Sequence, residues 1–164
     1  MKNDHKPLFS IDKENKKIHV ERAFAAPLPT IWNAWTDSAI LDQWWAPKPW
    51  KARTKIMDFK AGGQWLYAMV SPENEVHWSL VEFISVEPEK SFSSWDSFSD
   101  ENGRQLPGMG RSQWINQFRE TETGTIVTIE IRFEQLSDLE QMVAMGFKEG
   151  FTMGMENLDA LLGI

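Results

Sequence analysis

The sequence predicts an α+β domain: an antiparallel sheet of about seven strands, two short helices after the first strand, and a long C-terminal helix covering one face. Three observations predict it. Apolar residues alternate at period two through most of 52–134. A helical period appears only around 30–45 and again from 137 to the end. Gly, Pro, Asn and Asp punctuate the strand-like runs at hairpin distances. A chain of 164 residues suits one such domain over 18–164, preceded by a polar segment, 1–17.

Within that segment Leu8, Phe9 and Ile11 form an apolar cluster before the turn-like Asp12-Lys13-Glu14-Asn15, a short extra strand able to pair back onto the strand after that turn. Ile18, Val20 and Phe24 alternate in a strand over 18–25, which Ala26-Pro27-Leu28-Pro29 ends. Pro29 or Thr30 opens a helix carrying Ile31, Trp32, Ala34 and Trp35. Asp37-Ser38 breaks it and offers an N-cap to a second helix with Ile40, Leu41, Trp44 and Trp45. Pro47 and Pro49 stop that helix, because proline lacks the backbone donor a continuing helix needs.

Strands are expected over 52–59, 62–71, 75–86, 90–98, 110–120 and 125–134. Val127, Ile129, Ile131 and Phe133 alternate with polar neighbours, so the sheet has one dry face. On 75–86 the register stays open, since Trp78, Leu80 and Ile84 or His77, Val81 and Phe83 can face inward. The run Asp96–Gly110 is long for a hairpin and reads as a loop suited to a cavity mouth or to an ordinary connection.

The cover for the dry face begins at Ser137-Asp138-Leu139-Glu140, a capping-box pattern. Leu139, Met142, Val143, Phe147, Phe151, Met155, Leu158 and Leu162 then lie on one helical stripe, predicting one helix of about 25 residues, roughly 37 Å long. Gly146, Gly150 and Gly154 stand four apart in it, each costing about 0.8–1.0 kcal/mol relative to alanine. The missing side chains serve either close approach of helix and sheet or free volume between them.

Composition excludes several function classes. There is no cysteine, hence no disulfide, thiolate metal site or cysteine nucleophile. Lys+Arg 17 against Asp+Glu 24 gives −7, the wrong sign for a generic nucleic-acid binder. The start, MKNDHKPLFS, is charged where a signal peptide is apolar, and no run reaches the ~18 apolar residues of a membrane span. A soluble cytoplasmic protein, monomer or homodimer, is the expectation. GxSxG and Walker motifs are absent, and Gly108-Met109-Gly110 lacks the third glycine of a dinucleotide fingerprint. His5, His19 and His77 are far apart, so neither metal nor cofactor is expected.

Residues 29–37 (PTIWNAWTD), 41–47 (LDQWWAP) and 58–65 (DFKAGGQW) resemble, in order, the motifs of the family named for the activator of Hsp90 ATPase (AHSA1-like), within the SRPBCC or START/Bet v 1-like superfamily. Gly124–Thr128 and the ending Gly150-Phe151 with 158–162 (LDALL) resemble it too. The resemblance implies the helix-grip fold, in which a strongly curved sheet wraps around the last helix, often leaving a cavity there. It further implies small-molecule binding in some members, chaperone assistance in others and cyclase- or hydrolase-type catalysis in a few.

The candidate ligand-contacting set is the lining of such a cavity. Trp65, Tyr67 and Met69 share one face of a strand, Trp114, Asn116 and Phe118 one face of another, and Trp78 and Trp95 lie on two more. Phe147 and Phe151 face them from the helix. Pockets are lined by such residues, but so are cores; Trp32, Trp35, Trp44 and Trp45 are most simply core. His77, Glu82, Asp96 and Asn116 carry the enzyme alternative, although acids on strands usually face water. Binding of an apolar or amphipathic ligand is the leading expectation, and interaction with an Hsp90-like chaperone the alternative.

Overall fold

A computed structural model describes residues 6–164; His5 lies outside them. The chain runs β1 (Leu8–Asp12), β2 (Lys17–Phe24), α1 (Leu28–Thr36), α2 (Ser38–Trp44), β3 (Lys51–Met57), β4 (Gln64–Val70), β5 (Val76–Glu87), β6 (Ser91–Ser99), β7 (Ser112–Thr121), β8 (Gly124–Phe133), α3 (Leu136–Ala144) and α4 (Phe147–Leu162). The strands form one antiparallel sheet in the order β1-β2-β8-β7-β6-β5-β4-β3, open at β1 and β3. This is the helix-grip arrangement, with one strand more than the seven expected: Leu8–Asp12 does pair onto β2.

Register decides which residues face the helices. Pairing Tyr67↔Ser79, Val81↔Asp96, Ser94↔Trp114 and Trp114↔Ile131 puts these side chains on one concave face. The open question on β5 is thereby answered: His77, Val81 and Phe83 face inward, Trp78 and Glu82 outward. β6 runs through Ser99, so Asp96, Ser97 and Phe98 are strand and the connecting loop is shorter than expected. Gly62 and Gly63 do make a tight turn: Gly62 has φ +84, and a Cβ on Gly63 would overlap the Asp58 carbonyl.

The two early helices close one end of the sheet. α1 starts at Leu28, one residue after its N-cap Pro27, and so ahead of Thr30. Asp37 caps α2 by accepting from the Ala39 N–H at 2.9 Å. Trp32, Trp35 and Trp44 are buried core, with Trp44 Nε1 donating to the Ala34 carbonyl at 2.9 Å. Such a bond satisfies an indole donor that would otherwise be stranded by burial.

The C-terminal cover is two helices rather than one. Gly146 takes φ +85 between them, a left-handed conformation that glycine adopts without steric cost, and the axis breaks there. Ser137 lies inside the first turn of α3, whose N-cap is Gln135, so the expected capping box is displaced. Gly154 brings α4 against α2, where a Cβ would stand 3.2 Å from the Trp45 carbonyl oxygen and 3.3 Å from that of Trp44. Asn157 Nδ2 donates to the Ala46 carbonyl at 3.1 Å in the same contact. Close approach is thus one use of the glycines, but the partner is α2. Arg22, buried on the concave face of β2, clasps Asp159 of α4 through both carboxylate oxygens.

Candidate functional site

Between the concave face of β4–β7 and the helices α3 and α4 lies a cavity of about 500 Å³. Its floor is Tyr67 and Met69 of β4, Ser79 and Val81 of β5, Asp96 and Phe98 of β6, and Ser112 and Trp114 of β7. Alternation at period two delivers these residues, one strand after another, to the same side. The roof is Asp138, Gln141 and Met142 of α3 with Phe147, Gly150 and Phe151 of α4. Gly150 serves the other use open to the glycines: without a side chain it leaves room beside Pro47, 3.7 Å from its would-be Cβ. Met109 and Gly110, from the β6–β7 loop, and Met145 also border it.

Trp45 enters from the end of α2. Adjacent residues on a helix point about 100° apart, so Trp44 enters the core while Trp45 reaches the cavity. Its Nε1 donates to Tyr67 Oη at 2.9 Å, and its ring meets Phe151 edge-on at 5.6 Å. Phe147 packs edge-on against Trp114 at 5.9 Å, and Trp114 Nε1 donates to Ser112 Oγ at 3.0 Å. The indole donors of Trp45 and Trp114 are therefore used within the protein.

Two carboxylates line this apolar setting, Asp138 from α3 and Asp96 from β6. Asp96 is half-buried and lines the cavity; its Oδ1 accepts from Ser94 Oγ at 2.5 Å. Desolvation disfavours its charged form and pushes its pKa up to about 7, against the lowering effect of the Ser94 bond. Tyr67 is raised to about 12, first by its own burial, with the negative charge of Asp96 adding to the rise. His77 lines the rim: its exposed imidazole lies 3.2 Å from Glu75 and tilts over Trp50 at 5.5 Å.

Of the residues expected to contact a ligand, the structure gathers Tyr67, Met69, Trp114, Phe147 and Phe151 on the cavity. Trp65 lies on the same face but behind them, stacked on Tyr67 at 4.1 Å and donating to Thr54 Oγ1 at 3.0 Å. Asn116 and Phe118 are deeper core, where Asn116 Nδ2 donates to the Phe92 carbonyl at 3.4 Å and Phe118 packs on Trp32 at 5.1 Å. Trp78 and Trp95 are corrections, because strand parity turns both to the convex face. There Lys55 Nζ lies 5.8 Å from the Trp78 ring and the Arg111 guanidinium 3.8 Å from that of Trp95. Glu82 is outward too, whereas Asp96 departs from the rule that strand acids face water. Trp45, Asp138 and Gln141 were not expected; the doubled Trp44-Trp45 was the one available signal for the first of them. Among the described residues no group of three or more His, Asp or Glu could hold a metal ion, and no helix is long and apolar enough to cross a membrane.

Known proteins share this architecture. The family described as Activator of Hsp90 ATPase homolog 1-like protein matches residues 25–163. The crystal structure of protein Ms6760 from Mycobacterium smegmatis is similar at 28% identity and a TM-score of 0.87, over 94% of this chain and 95% of that one. A solution structure of a protein from Arthrobacter aurescens is similar at 27% identity and a TM-score of 0.88, over 95% and 91%. A search of curated proteins finds no significant match.

Proposed function

This chain belongs to the Activator of Hsp90 ATPase homolog 1-like family, and from that premise we propose that it binds a small apolar or amphipathic molecule between its sheet and its C-terminal helices. One observation carries the reading: the interior is not packed through, but keeps about 500 Å³ bounded by aromatic and methionine side chains. Binding pockets for small molecules fall at about 300–1,000 Å³, mostly apolar with a few placed polar groups. Asp96, Tyr67 and Ser112 are those groups here. Close-packed interiors hold few voids larger than a water molecule, so a space of this size bordered by residues that could have filled it supports a ligand.

The test is native mass spectrometry of protein purified from its source, followed by denaturation. The expected result is one small organic molecule released per chain, and a Gly150→Phe variant, which puts a benzyl group at the cavity wall, that carries less of it. Protein that carries nothing, and takes up no small aromatic compound at millimolar concentration, overturns the reading.

A further inference from the structure

Resting on that ligand-binding reading, we propose that the cavity selects an organic cation: a small aromatic or apolar amine whose ammonium group sits at Asp96 while its apolar body lies against Tyr67, Trp114 and Phe151. The charged side chains of the lining carry the inference. Asp96 and Asp138 line the cavity, and among the described residues no lysine or arginine does. His77, at the rim, is the remaining titratable base, and it faces Glu75. Two cations next to lining residues are engaged elsewhere. Arg111 lies over Trp95 on the convex face and pairs with Glu134 at 3.0 Å, and Lys148 lies over Phe9.

The hydrogen-bonding inventory points the same way. The N–H groups of Trp45 and Trp114 are already committed to Tyr67 Oη and Ser112 Oγ. What the wall offers beside its carboxylates is neutral, namely the Gln141 amide, the Trp50 N–H and hydroxyls, so the charge to be matched is that of Asp96, whose Oδ1 is engaged by Ser94 and whose Oδ2 receives no hydrogen bond among the described residues. An anionic ligand would meet carboxylates with no countercharge. A neutral ligand would leave Asp96 either charged and uncompensated or holding a proton. An ammonium supplies the missing charge at a half-buried carboxylate, where Coulomb attraction is stronger than at the open surface. The aromatic walls add the attraction of ring faces for a cation.

Isothermal titration at pH 7.5 with three probes of one shape tests this: 1-naphthylmethylamine, 1-naphthylmethanol and 1-naphthoate. The amine should bind at least ~10-fold more tightly than the alcohol, a difference of about 1.4 kcal/mol, and the carboxylate most weakly. In Asp96→Asn the amine should fall to about the alcohol's affinity, with the alcohol unchanged, as expected for loss of a charge-assisted bond. In the wild-type protein at pH 6, where free Asp96 keeps its proton, the carboxyl ¹³C resonance of Asp96 should move to its ionised position with the amine and not with the alcohol, which decides the matter even if the variant fails to fold. An amine no tighter than the alcohol, or a preference that survives in folded Asp96→Asn, overturns the cation inference and leaves the ligand-binding reading standing. Failure of all three probes to bind at millimolar concentration overturns both.

Discussion

Asp96 shows how far one residue's behaviour depends on what surrounds it. Its pKa, about 7 in the folded chain against the ordinary 3.8, means that the folded state keeps a proton the unfolded state has lost between those values. Stability then falls as pH rises through that window and stays reduced above it, because the unfolded chain binds fewer protons there. Asp96→Asn mimics the protonated form. Its stability should match that of the wild type near pH 4 and exceed it increasingly toward pH 8, by about 1–3 kcal/mol once access of water from the cavity is discounted, with a correspondingly higher Tm. Thermal melts of both proteins from pH 4 to 8 check this, and a difference independent of pH would contradict it. Arg22 is the opposite case, a buried charge already compensated by Asp159. Asp159→Ala removes its carboxylate and should cost about 3–5 kcal/mol in a urea titration, the usual penalty for breaking a buried pair from one side. Alternation already puts Arg22 in phase with Ile18, Val20 and Phe24, but its partner on α4 and the burial of Asp96 depend on segments distant in the chain and could not be read from sequence.

At the scale of elements, α4 separates two glycines that look equivalent in the sequence. A Cβ at Gly150 makes ordinary contact with Pro47 at 3.7 Å, so Gly150→Ala should keep most of the helix-propensity gain and stabilise by roughly 0.5–1 kcal/mol. At Gly154 the Cβ would press on the Trp44 and Trp45 carbonyl oxygens, in a helix end that Asn157 ties down. Gly154→Ala should therefore lower stability by about 1 kcal/mol, the strain of overpacking exceeding the propensity gain. Equal effects of the two substitutions in chemical denaturation would refute this account. The elements themselves were largely legible. Period-two alternation marked β8 and the Trp-rich helical spacing marked α1 and α2, because local periodicity records which face is dry. The break at Gly146 was not, since the apolar stripe continues across it and a positive φ leaves no mark on hydrophobic spacing.

For the molecule as a whole, the cavity divides a firm half from an adaptable one. β2 and β8 carry Ile18, Val20, Ile129 and Ile131 at 1% exposure or less, packed with Leu139, Met155 and Leu158 of the two C-terminal helices. The cavity is roofed instead by α3, the first turns of α4 and the β6–β7 loop, where Val143 and Met145 are exposed. Few buried apolar contacts go with low local stability. Hydrogen exchange with and without a bound aromatic amine should accordingly show protection of residues 136–151 and 108–112, and no change in β2 and β8. Protection spread evenly over the sheet would argue against ligand entry beneath this roof. By itself, the sequence determined the α+β class, the strand and helix order, the family motifs and a set of aromatic residues available to a cavity, all carried by local periodicity and turn residues. Tertiary structure alone decided that Trp78 and Trp95 face outward while Trp45 and Asp96 face in, because strand register and helix phase, which depend on pairing between distant segments, set the direction of each side chain.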